Sequence, residues 1–194
     1  MAMSKLGKKN MIETHIRLAT MDDLKYIDSL AQKEGKSVGF LPKIVYEAAI
    51  TGLKPSKHRW SPICNDKIWL AEENGDTVGF VLAGFGKFGK VHQICIQEDA
   101  RLLERGRLLL DSVISHAEMR GRYDFSCGCA DDLESNRFWS AMGWVKVGER
   151  RGISYKNVWK ESSDRKVNIY RYAINELGLL GQTKIVEEVC GGDE

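Results

Sequence analysis

Apolar and polar positions alternate over residues 12–18, with Ile12, Thr14, Ile16 and Leu18 on one side and Glu13, His15 and Arg17 on the other. That period predicts a first strand. Thr20 followed by Asp23 is a helix-start signal, and Leu24, Ile27, Leu30 and Ala31 then recur at helical spacing until Gly35. Pro42 suits the first turn of a second helix that carries Val45, Ala48 and Ala49 on one side and closes near Gly52. No period fits residues 54–66, which hold Pro55, His58, Trp60, Pro62 and Asn65 and read as a loop. Residues 68–73 and 78–85 are β-prone runs around Asn74-Gly75-Asp76, so a hairpin is expected. The glycine cluster at 84–89 turns the chain again, between strands rather than ahead of a helix. Residues 91–97 form a fourth strand, with His92, Ile94 and Ile96 on one face and Val91, Gln93 and Cys95 on the other.

A helix over residues 101–120 follows, with Leu109, Val113 and Ala117 at fourfold spacing beside Leu110 and Ile114. Its expected first turn, Arg101-Leu102-Leu103-Glu104-Arg105-Gly106-Arg107, carries three arginines and a glycine. A helix start leaves backbone N–H groups without intrahelical partners at the positive end of the dipole, so this stretch is a candidate anion site. Residues 123–129 are a fifth strand, and strand, helix, strand in this order implies a right-handed parallel crossover. Residues 131–136 supply caps for a short helix through Met142 that Gly143 stops. Residues 144–149 and 167–174 are expected as a closing antiparallel pair, joined by an irregular polar connection over residues 150–166.

Composition narrows the class. With 194 residues, 43% hydrophobic and 29% charged, the chain has the size and make-up of one globular domain. Residues 1–11 are set apart as a flexible N-terminal arm, 12–175 as the domain, and 176–194 as a C-terminal extension. A net charge of +2 makes no electrostatic case for nucleic acid. Five cysteines without regular spacing argue against a disulfide scaffold and fit a reducing compartment, so a cytoplasmic protein is expected. Cys127-Gly128-Cys129 reads as buried small residues on a strand, and no metal is expected. No run approaches membrane-span length, and no membrane partner is expected.

Two stretches stand in a telling order. Ile94-x-Ile96 followed by Arg101-x-x-Glu104-x-Gly106 resembles the acyl-CoA pyrophosphate signature Q/R-x-x-G-x-G/A of the GNAT acyltransferase superfamily, with Glu104 where that family usually has glycine. Asn136-Arg137-Phe138-Trp139, ending in Gly143-Trp144, resembles the family's short helix closing in F-Y-x-x-x-G-F, with Trp139 in place of the tyrosine that commonly protonates the departing thiolate. The resemblance covers about residues 12 to 174.

It implies a single α/β domain of GNAT type, with a mixed central sheet of about six to seven strands flanked by helices. It further implies an acyl-CoA-dependent N-acyltransferase, most simply an N-acetyltransferase, moving the acetyl group of acetyl-CoA to a primary amine by direct attack. The cofactor-binding residues so implied are Ile94, Cys95, Ile96, Arg101, Leu102, Leu103, Glu104, Arg105, Gly106, Arg107, Asn136, Phe138 and Trp139. His92 stands where some members place a histidine near the substrate, and imidazole suits a general base for a protonated amine. Glu98, Asp131 and Asp132 are alternatives acting through water. Trp60, Trp69, Trp139 and Phe40 line a cleft or fill the core, and Arg150, Arg151, Tyr155, Lys156, Asn157 and Trp159 are candidate acceptor contacts. Protein lysine, protein N-terminus, polyamine and aminoglycoside all remain compatible as the acceptor, as does a homo-oligomer. The rival reading is a catalytically weak or inactive GNAT-like module that binds CoA, a protein partner, or both.

Overall fold

A computed structural model describes residues 13–53, 65–86, 88–101, 104–121, 124–156 and 159–173. The arm and extension set apart above, the Trp60 loop, Leu102, Leu103 and Asn157 lie outside the described residues. Strand periodicity materialises as β1 (Thr14–Leu18), β2 (Lys67–Glu73), β3 (Asp76–Phe85), β4 (Gly89–Ile96), β5 (Asp124–Ala130), β6 (Val145–Lys156) and β7 (Trp159–Ala173). They form one mixed sheet in the order β1-β2-β3-β4-β5-β7-β6, and every neighbouring pair is antiparallel except β4 with β5. Between β2 and β3 the chain reverses through Asn74 and Gly75, whose φ values of 52° and 90° are the left-handed pair that a two-residue hairpin needs.

The expected irregular connection over 150–166 is instead ladder. β6 and β7 pair from Val145↔Arg171 to Lys156↔Trp159, with register shifts at Lys146/Gly148 and Arg151/Gly152. Polar residues hid these strands: ahead of Val167, β7 pairs with β6 alone, and the ladder there is made of backbone hydrogen bonds that no apolar alternation announces.

The helices are α1 (Leu24–Lys33), α2 (Gly35–Val38), α3 (Lys43–Thr51), α4 (Arg105–Glu118) and α5 (Ser135–Ala141). Gly35, expected to end the first helix, opens the single turn α2. Helices cover both faces of the sheet, giving two cores. Leu109, Leu110 and Val113 of α4 and Trp139 of α5 pack with Trp69, Val81, Phe85, Phe125, Cys127 and Cys129. Leu24, Ile27 and Leu30 of α1 and Val45, Tyr46 and Ala49 of α3 pack on the opposite face with Ile68, Leu70, Phe80 and Leu82. Among the described residues no helix is long and apolar enough to cross a membrane.

A register shift between Leu82 and Ala83 changes the expected face assignment of β4. Leu82 pairs with Gln93 and Ala83 with Val91, leaving His92 as the extra residue of a β-bulge. Val91 therefore packs in the same core as Ile94 and Ile96, while Cys95 faces the other core. Gln93 follows Cys95: its amide accepts from Tyr46 Oη at 2.8 Å and donates to the Gly39 carbonyl at 2.8 Å, fastening the α2–α3 loop to the strand.

The start of α4 is held by a buried ion pair. Arg105 is bonded through two guanidinium nitrogens to both carboxylate oxygens of Glu73 on β2, and its third nitrogen donates to the Ala100 carbonyl at 2.6 Å. Thr14 on β1 adds a hydroxyl to Glu73 at 2.7 Å. Hydrogen bonds from Arg105 are the main reason that the Glu73 carboxyl titrates below its ordinary 4.5; the stabilisation they bring is present above that value and is lost as pH falls through the depressed one. Arg105→Met, which strands the buried carboxylate, is expected to cost about 3–5 kcal/mol in urea denaturation. Arg105→Met combined with Glu73→Leu should recover most of that loss, and equal losses in the single and double variants would show that the two charges do not act as a unit.

Candidate functional site

Parallel pairing between β4 and β5 is confined to Gly89↔Phe125 and Lys90↔Ser126. Beyond that point β4 continues to pair with β3 alone, from Val91 to Ile96, and β5 with β7 alone, from Cys127 to Ala130. The strands therefore part toward their C-terminal ends, and backbone groups along the inner edge of residues 91–96 have no ladder partner across the gap. Unpaired backbone polar groups demand a partner, so this edge is open to hydrogen bonds from outside the sheet. Ile94, Cys95 and Ile96 lie on that edge; burial of Cys95 pushes its thiol up to about 12, which makes it inert.

At the end of β4 the chain makes a 3-10 turn over Glu98–Ala100 before α4 begins at Arg105. Arg101 thus precedes the helix by a full turn, contrary to the expectation that it opens it. Glu104 immediately precedes the helix, with a left-handed backbone of φ 52° and ψ −7°. A glycine would adopt that conformation without strain. The Glu104 side chain is 74% exposed and reaches Arg107 at 3.6 Å, so the carboxylate points to solvent. Each arginine already has a carboxylate partner: Arg101 bonds Glu34 at 2.7 Å, Arg107 lies 3.5 Å from Asp111, and Arg105 holds Glu73. Arg105 differs from the other two. Its guanidinium is turned into the core, so what it offers an anion is its backbone amide, alongside those of Gly106 and Arg107.

The two sequence anchors meet at this point. A Cβ on Gly106 would stand 2.9 Å from the Phe138 ring, so only glycine lets α5 approach the first turn of α4 so closely. Asn136 and Trp139 are both engaged within the fold. The Asn136 amide donates to the carbonyls of Ala130 and Leu133, both at 2.7 Å, and accepts from Asn168 and Tyr170, both at 2.9 Å, so the short side chain ties β5, α5 and β7 together. Trp139 is 5% exposed, packed edge-on to Phe138 and Trp144. Trp69 is likewise core, whereas Phe40 is exposed.

The α1–α2 corner reaches both strand ends. Glu34 pairs with Arg101 after β4, and the Lys36 carbonyl accepts from Arg165 of β7 at 3.1 Å, while Arg165 also binds Asp132 after β5 at 2.9 Å.

His92, at the bulge, lies just past the last β4–β5 pair. Its Nε2 is 3.8 Å from Oδ2 of Asp66, a residue that sequence reasoning did not single out. Asp66 sits immediately before β2 in a stretch without periodicity and is only 5% exposed; no local signal marks it. Gly84 brings the two together: a Cβ there would be 2.6 Å from Asp66 Oδ1 and 2.8 Å from His92 Nε2. Both of those atoms are buried and, among the described residues, have no hydrogen-bond partner. Burial pushes the Asp66 carboxyl up to about 6, with Lys90 opposing, and burial followed by Lys90 pushes the His92 imidazole down to about 4. Perturbed groups of this kind, facing each other beside an opening, mark a candidate reaction centre.

Residues 56–156 match the family model described as an acetyltransferase (GNAT) domain. No curated protein matches the chain in sequence. Solved structures match in fold. NAA60 of Arabidopsis thaliana, in complex with a bisubstrate analogue, aligns at TM-score 0.65 and 12% identity over 86% of this chain and 100% of its own. The ribosomal-protein-S18-alanine N-acetyltransferase of Escherichia coli aligns at 0.62 and 14% over 88% and 98%. A GNAT family acetyltransferase from Elizabethkingia anophelis with acetyl-CoA bound aligns at 0.53 and 14% over 82% and 97%.

Ionising a buried Asp66 works against folding, so its contribution is most favourable below its ordinary 3.8 and is lost as pH rises through about 6. His92 has the opposite sign, its contribution being full above 6.5 and lost as pH falls toward about 4. Asp66→Asn is therefore expected to stabilise the fold near neutral pH by on the order of 1–3 kcal/mol and to do little in acid. Thermal melts across the pH range check this; equal melting temperatures near neutrality would show that the carboxylate is not penalised by its burial.

Proposed function

The chain belongs to the GNAT acetyltransferase family, and from that premise we propose that it moves an acetyl group from acetyl-CoA to a primary amine by direct attack on the thioester. The observation that carries this reading is the parting of the parallel strands β4 and β5 directly ahead of a helix start. One opening thereby joins free strand-edge amides to a set of unpaired helix amides. Amides at residues 94–96 suit an amide-bearing arm and the developing charge on a thioester oxygen; those of Arg105, Gly106 and Arg107 suit a pyrophosphate. Arg101 is exposed and would turn from Glu34 to the anion. In this reading His92 takes the proton that a protonated amine must lose before attack. The acetyl-CoA seen in the Elizabethkingia anophelis neighbour supports this choice of donor. We place the activity in the cytoplasm, a reading supported by the free thiols of Cys95, Cys127 and Cys129.

The second reading, a module that binds CoA without turnover, is favoured by one observation: Trp139, packed against Phe138 and Trp144, stands where the resemblance expects tyrosine, and an indole N–H is no acid near neutral pH. Calorimetry with acetyl-CoA, followed by thiol release over a panel of amines and peptides, separates the two. Lack of any CoA affinity ends the transferase reading, and binding without thiol release selects the module. Arg101→Ala is expected to weaken CoA binding by about 1.5–3 kcal/mol, the worth of a charged hydrogen bond. Glu104→Gly, which removes a carboxylate and relieves the left-handed backbone, is expected to strengthen binding and to stabilise the fold by about 1 kcal/mol.

A further inference from the structure

Asp66 is costly where it stands. A carboxylate 5% exposed, with Oδ1 lacking a partner among the described residues, is a feature that packing alone would replace by an apolar group. The fold instead makes room for it. Gly84 lies beneath both Asp66 Oδ1 and His92 Nε2, and any side chain at that position would separate them. On the other side, the β-bulge frees His92 from the strand alternation and puts it beside that carboxylate, at the point where β4 and β5 part. Two buried atoms that lack hydrogen-bond partners among the described residues, one from β4 and one from the residue preceding β2, thus converge over one glycine of β3.

We propose that Asp66 is the positioning residue for the proton acceptor of the transfer reaction: it receives the Nε2–H of His92 and so fixes the ring with Nδ1 free toward the acceptor amine. This rests on the acetyltransferase reading above. The proton balance is simple. The ammonium of the acceptor gives one N–H proton to Nδ1, the nitrogen keeps the electron pair with which it attacks, and the imidazolium formed is offset by the Asp66 carboxylate 3.8 Å from Nε2. At 3.8 Å the two are not yet hydrogen-bonded, and contact at about 2.8 Å requires a shift of about 1 Å, of the kind that catalytic pairs make when substrate closes the site. The other charge that acts on both groups is the exposed Lys90, which disfavours a proton on His92 and favours the ionised carboxylate. Gln93, the next residue, is taken up by Tyr46 and the Gly39 carbonyl and leaves the pair alone.

The test uses the full chain and compares Asp66→Asn, His92→Gln, their double variant and Gly84→Ala. The expected result is a fall in kcat of about 10- to 100-fold for Asp66→Asn, less than the roughly 10²- to 10⁴-fold worth of the base itself, with the acetyl-CoA Kd unchanged. The acidic limb of its kcat/KM profile should move to lower pH. In the His92→Gln background the same change should cost nothing further, and Gly84→Ala should resemble Asp66→Asn because its Cβ parts the pair. An independent readout is the NMR titration of the His92 ring: the native protein should show a second inflection that follows Asp66 and vanishes in Asp66→Asn. Identical ring titrations in the two proteins, an unmoved acidic limb, or a full additional loss in the double variant would each overturn the proposal. If the native protein acetylates no amine, the acetyltransferase reading fails while the NMR titration still decides whether Asp66 and His92 are coupled.

Discussion

The buried pair between Arg105 and Glu73 is the interaction on which the rest of this architecture depends. A cation in the first turn of a helix opposes the helix dipole, and a cation inside a core opposes desolvation. Both penalties are met by one carboxylate held from β2 and steadied by Thr14 on β1. The result is that α4, which follows β4 in the chain, is fastened at its start to β2, next to the β1 edge of the sheet. With the Arg105 charge neutralised inside, the helix start presents backbone amides rather than a buried cation to whatever lies in the opening.

Close approaches at glycine then place the chemistry. Gly106 admits the Phe138 ring against the first turn of α4, which joins two stretches more than thirty residues apart in the chain into one wall. Gly84 admits a carboxylate and an imidazole over one strand position. Neither glycine has a positive φ, so their role is space, not backbone freedom. Glu104 is the converse: its left-handed backbone is one that glycine adopts freely, and a side chain is carried there at the cost of local strain.

The same region gives up stability for placement. Asp66 is buried without a hydrogen-bond partner for Oδ1 among the described residues, and His92 is kept neutral by burial. Such groups are tolerated where surrounding structure over-determines them. Here the bulge in β4, the pairing of β3 with both neighbours and the Gln93–Tyr46 bond do so.

Hydropathy period and turn chemistry were enough to predict β1 to β5, the principal helices, the parallel crossover and the Asn74-Gly75 hairpin, because each is dictated by local spacing against a buried face. The resemblance carried by two short motifs pointed to the family that the match over residues 56–156 shows. Side-chain employment was not legible. Arg105 and Arg107 look alike in sequence, yet one pairs with Glu73 inside the core and the other remains at the surface, a choice made by a strand more than thirty residues earlier. Asn136 and Trp139 went into packing for the same reason, and the 150–166 segment became ladder because its two halves pair with each other, an order that no apolar period announces. Only the folded sheet could slip the register of β4 by one residue at His92 and set Asp66 beside it, since a bulge and a contact between residues 26 positions apart leave no period in the chain.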